Sequence, residues 1–122
     1  MVIKSYKELT VWQKAMDLCT KVYKITSTFP KSELYGLVSQ IRRCAVAIPS
    51  NIAEGQTRAH KQEYIQFLRI AMASGAELET QLLVSLRVGY LSEKNYEELN
   101  NLLGEIMRML NSLISKLLVT RT

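Results

Sequence analysis

His60 is the only histidine in 122 residues, Asp17 the only aspartate, and Cys19 and Cys44 the only thiols. A Ser/His/Asp relay would have to join His60, in a polar link, to Asp17 on a different helical segment. A ferritin-like di-metal bundle needs two Glu-x-x-His motifs, and the chain has none. One histidine with no cysteine near it excludes the common zinc sites, and no glycine-rich phosphate loop precedes a helix. No catalytic residue, metal or cofactor is therefore expected. The two cysteines lack CxxC spacing and fall in apolar stripes, which reads as buried, reduced thiols.

The remaining unusual polar residues are Asn51, Glu54, Glu77 and Glu79. Glu79 shares a helical face with Leu68, Met72 and Leu86, and a carboxylate among apolar neighbours needs a partner. Arg42, flanking the apolar face of the second segment, is the natural one, in a structural ion pair. Asn51 is expected to satisfy the carbonyl that Pro49 leaves without a donor.

These residues ride on four helical segments. From Thr10 to Thr26, Val11, Ala15, Leu18, Val22 and Ile25 form one apolar seam, and Trp12, Met16, Cys19 and Tyr23 form a second beside it. Together the seams span about 180°, wider than the roughly 100° stripe one core requires. The second seam is therefore expected to be an oligomer interface. The next segment, Glu33 to Glu54, places Leu34, Leu37, Val38, Ile41, Ala45, Ile48 and Ile52 on one face. Pro49 is expected to kink this helix without ending it, with Gly55 as its C-cap. A third segment runs from Lys61 to Val88 through Tyr64, Leu68, Ala71, Gly75, Leu78, Leu82 and Leu86, and its small residues at 71–76 would admit a close neighbour. After a turn at Gly89 and Tyr90, Ser92 caps a fourth segment carrying Tyr96, Leu99, Leu103, Ile106, Leu110, Leu113 and Leu117.

Four such segments with short links predict a single all-α domain, 1–122, folded as an up-and-down antiparallel four-helix bundle. Five glycines and two prolines are too few for an all-β fold. The apolar run Cys44–Ala53 is too short for a membrane span, and residues 1–7 lack a signal-peptide pattern, so a cytoplasmic location is expected. The net charge is +5, and six lysines in the first 31 residues concentrate the excess there. Nucleic acid, bound electrostatically and without sequence readout, is one expectation, through Lys14, Lys21 and Lys24 on the first helix and Arg43, Arg58 and Lys61 as a second group. A protein-interaction scaffold with no nucleic-acid role is the alternative.

The stretch QIRRCAVAIPSNIAEG (Gln40–Gly55), the following EYIQFLRIA and AELETQLL, the opening LTVWQKAMDL (Leu9–Leu18), the FPKSELYGL link (Phe29–Leu37) and the GYL turn (Gly89–Leu91) resemble the 23S rRNA-intervening-sequence proteins. The likeness runs from Tyr6 to Leu117. It departs from the family pattern at Ala47, His60, Ala73 and Gly75. It implies a small bacterial four-helix bundle, first noticed in reading frames inserted in ribosomal RNA genes, forming a homopentamer with no established enzyme activity. Related proteins accompany diversity-generating retroelements, so the resemblance also implies RNA or DNA, and a protein such as a reverse transcriptase, as possible partners.

Overall fold

The computed structural model describes residues 5–120. Its four α helices are α1 (Thr10–Thr26), α2 (Leu37–Gln56), α3 (Lys61–Arg87) and α4 (Glu93–Val119), and no strand occurs among the described residues. Short 3-10 turns at Tyr6–Glu8 and Lys31–Glu33 lead into α1 and α2. Each helix packs on the next, α4 closes back on α1, and the α2–α3 contact is the most extensive. This is the predicted up-and-down arrangement.

The core is the inward line of each helix. Ala15, Leu18 and Val22 of α1 meet Ile41, Ala45, Ile48 and Ile52 of α2, Leu68, Ala71, Leu78 and Leu82 of α3, and Leu99, Leu103, Ile106 and Leu110 of α4, all essentially without solvent contact. Burying each large aliphatic side chain is worth about 1.5–3 kcal/mol, so these lines hold the bundle together. Phe29 packs against Tyr90 with ring centroids 5.7 Å apart and closes one end. Ser92 caps α4 by accepting from the Asn95 amide at 3.1 Å, as its sequence position predicts.

Several expectations are corrected. α2 starts at Leu37, because the 3-10 turn and Gly36 (φ −114°, ψ −107°) hold the preceding residues off the helical path. Leu34 is consequently 44% exposed. Helix α2 continues through Pro49, as expected, but it also runs past Gly55, which is no C-cap. A Cβ on Gly55 would lie 2.7 Å from Phe67 Cβ, so glycine serves the close approach of α3. Asn51 Nδ2 donates to the Ala47 carbonyl at 2.7 Å, within its own helix. The carbonyl freed by Pro49, that of Ala45, is met by the Cys19 thiol of α1 at 3.0 Å.

Glu79 and Arg42 do not pair. Glu79 is exposed, since it follows Leu78 by 100° and leaves the buried arc that Ala71, Gly75, Leu78 and Leu82 define. Arg42 instead turns to α1. The second seam of α1 also finds much of its cover inside the chain: Cys19 is buried against α2, and Trp12 is half-buried with the Tyr6 ring edge-on at 5.3 Å. A helix in a four-helix bundle touches two neighbours, so its apolar arc is wide without any second molecule. Only Met16 and Tyr23 of that seam stay open, at 42% and 45% exposure.

Candidate nucleic-acid interface

The last turns of α1 and the first turns of α2 hold an arginine in a fixed pose. Thr26 Oγ1 donates to the Val22 carbonyl at 2.7 Å, which orients its lone pairs outward. Arg42 Nε donates to that oxygen at 3.0 Å and Nη2 donates to the Tyr23 carbonyl at 3.3 Å. The guanidinium carbon lies 4.5 Å above the Tyr23 ring, an arrangement that favours a cation on an aromatic face. A guanidinium has five N–H donors, so these bonds leave the majority without an acceptor among the described residues.

Beside this arginine is a shallow hollow of about 400 Å³ lined by Tyr23, Leu34, Tyr35, Val38, Ser39, Arg42 and Arg43. It adjoins a pit of about 90 Å³ that shares Leu34, Val38 and Arg42 and extends to Phe29, Pro30 and Lys31. Among the described residues no carboxylate lines either one. Glu33, next in sequence, is engaged elsewhere: its Oε2 accepts from the Tyr90 hydroxyl at 3.0 Å and its Oε1 from the Leu37 amide at 3.4 Å. The carboxylate at its hydroxyl raises the Tyr90 phenol above its ordinary range.

The other predicted basic residues lie apart. Lys14 Nζ is 3.0 Å from Glu105 and Lys21 Nζ is 2.7 Å from Glu98, both acids on α4. Lysines seven apart on α1 thus meet glutamates seven apart on the antiparallel α4. Lys21 and Glu98 shift each other, the amine up and the carboxylate down, chiefly through their shared hydrogen bond. Arg58 pairs with Glu54 at 3.0 Å and lies 4.8 Å over the Phe67 ring, while Lys61 donates to the Thr120 carbonyl. Arg58 and Lys61 sit beyond the far end of α2, roughly 20 Å of helix from Arg43. They do not form one group with it. Lys24 and Arg43 are exposed.

The family model of 23S rRNA-intervening sequence proteins matches residues 7–112. The chain belongs to that family. A solved structure similar to this member of the intervening-sequence family is described as a protein of unknown function from the S23 ribosomal protein family of Bacteroides thetaiotaomicron VPI-5482. The two chains are 25% identical, with a TM-score of 0.80 over 86% of this chain and 95% of that one. No curated relative matches the chain.

For this intervening-sequence protein, the residues that sequence reasoning missed are Tyr35, Leu34 and Lys31. Tyr35 is 93% exposed. The one signal in the sequence is that Tyr35 belongs to no apolar repeat; that it lies in a non-helical link follows from the start of α2 at Leu37. No helix among the described residues is long and apolar enough to cross a membrane, and among them no group of three or more His, Cys, Asp or Glu side chains could hold a metal ion.

Proposed function

We propose that this chain is a non-enzymatic, self-associating module that binds nucleic acid, with RNA as the principal ligand, through electrostatic contacts at the end of the bundle where α1 meets α2. The observation that carries the reading is the acid-free hollow in which Arg42 and Arg43 stand together with Lys31 at its margin. Phosphate contacts from such residues give affinity without sequence information. Lys24, in the last turn of α1, adds to the same end. Lys14 and Lys21 contribute less than their number implies, because α4 glutamates neutralise them.

Self-association belongs to the same reading. Met16 on α1 and Val46 on α2 are each more than 40% exposed, and a second copy would remove them from water. The pentameric ring is the state implied by the resemblance, and a reverse transcriptase is a protein partner implied in the same way. Light scattering reads the mass directly.

The test of binding is the salt dependence of affinity for a mixed-sequence RNA. Each phosphate contact adds about 0.7 to the slope on single strands. Replacing Lys24 and Arg43 by alanine should flatten the slope by about 1.4 for each protomer engaged and weaken all sequences alike. Replacing Lys14 and Lys21 should do less. Absence of binding at low salt would leave a scaffold of protein contacts as the function.

A further inference from the structure

We infer that the α1–α2 hollow takes an unpaired nucleotide of a single-stranded nucleic acid, its base stacked on the Tyr35 ring and its phosphates held by Arg42 and Arg43. The inference rests on the nucleic-acid reading and makes it specific. Tyr35 leaves 93% of its surface in water on the rim of a hollow that otherwise offers cations. A bare ring beside phosphate donors is the combination that single-strand sites use, since every base has a face to stack and the backbone follows the cations. A duplex keeps its bases stacked on one another and cannot use the ring.

The two tyrosines divide the work. Tyr23 has its face occupied by Arg42 and serves to fix that guanidinium. Among the described residues Tyr35 has no ring or hydrogen-bond partner, and its ring is open to stack. Arg42, already immobilised by Thr26 and Tyr23, loses little freedom on binding and retains unused donors for a phosphate. The adjoining pit shares Arg42 and ends at Lys31, so a strand leaving the first hollow meets a further cation. Ser39 and the absence of acids favour a nucleic-acid strand over an apolar protein segment.

The experiment measures binding of the full chain to a labelled single-stranded RNA, the same sequence as single-stranded DNA, and its duplex, for the wild type, Tyr35→Ala, Tyr35→Phe and Arg43→Ala. Tyr35→Ala should weaken single-strand binding about tenfold with the salt slope unchanged and leave duplex binding alone. Tyr35→Phe should bind as the wild type does. Arg43→Ala should weaken every ligand and lower the slope. The two single strands binding alike would assign recognition to base and phosphate, and a loss confined to RNA would add the 2′-hydroxyl. If wild type binds but Tyr35→Ala binds single strands equally well, the stacking site is wrong while the electrostatic reading stands. If wild type binds none of the three, both fall. Conversion of an oligomer to monomers by Tyr35→Ala would assign the ring to a second copy of the chain and overturn the inference.

Discussion

The Cys19 thiol on α1 donates to the Ala45 carbonyl on α2, 3.0 Å away, and that carbonyl is the one Pro49 leaves without an amide partner. A proline inside a buried helix normally strands an acceptor where water cannot reach it. Here a side chain from the neighbouring helix fills the vacancy, so a defect in one helix becomes a contact between two.

The expected consequence is non-additivity. Cys19→Ala should cost about 1–3 kcal/mol in the wild-type background, the range for leaving a buried acceptor unsatisfied. In a Pro49→Ala background, where residue 49 regains its N–H, the same replacement should cost clearly less. Urea denaturation of the four proteins measures the coupling. Equal costs in both backgrounds would show that the thiol does not compensate for the proline.

Two helical glycines should respond oppositely to alanine. At Gly55 the new methyl would face Phe67 Cβ at 2.7 Å and the Tyr64 carbonyl oxygen at 3.2 Å, atoms fixed to the α3 backbone. Gly55→Ala should therefore push α2 and α3 apart and destabilise by a few kcal/mol, about the cost of overpacking. At Gly75 the methyl would meet the end of the Met107 side chain, which can swing away. Gly75→Ala should be close to neutral or gain up to about 1 kcal/mol of helix propensity. Thermal melting distinguishes the two, and a Gly75 variant as damaged as the Gly55 variant would contradict the account.

The helices themselves were legible because the 3,4 spacing of Val11, Ala15, Leu18 and Val22, and of Leu99, Leu103, Ile106 and Leu110, registers which face is buried. Periodicity could not say what covers a face. The second seam of α1 read as an interface, yet Cys19 and Trp12 find cover within the chain. Glu79 and Arg42 were matched by face alone, and the partners that Arg42 does take, Thr26 and Tyr23, lie across a helix crossing that spacing does not encode. For the same reason Lys14 and Lys21 read as nucleic-acid contacts on α1, with nothing in their spacing to show that α4 places Glu105 and Glu98 opposite them. The hollow around Tyr35 was hidden because it forms in the link, where no repeat applies.

The α1–α4 ladder should act on the seam that closes the bundle. Lys14 and Glu105 are both partly exposed, so their coupling in a double-mutant cycle should be only about 0.2–1 kcal/mol. Exchanging both pairs, with glutamates at 14 and 21 and lysines at 98 and 105, should restore most of the stability lost by reversing the lysines alone. The gap between the single-side and exchanged variants should shrink in high salt. A salt-independent gap would mean that packing, not charge, sets the loss.

Alkaline pH should loosen the fold through its thiols. Burial pushes both Cys19 and Cys44 up to about 11 from an ordinary 9.0, with a hydrogen bond to Glu77 adding to the effect at Cys44. A thiol whose folded value is raised holds its proton longer in the folded than in the unfolded chain. Its contribution is therefore complete below pH 9 and is lost as pH rises toward 11. The urea midpoint should fall across that window, and Cys19→Ala should make the fall shallower. Burial raises Tyr64 in the same sense, and the Glu33 bond raises Tyr90, so part of the fall should persist in that variant. Thiol-reactive dyes offer an independent check: at pH 8 both cysteines should react slowly in the folded chain and rapidly in urea. Native reactivity equal to that of the unfolded chain would remove the basis for the pH dependence.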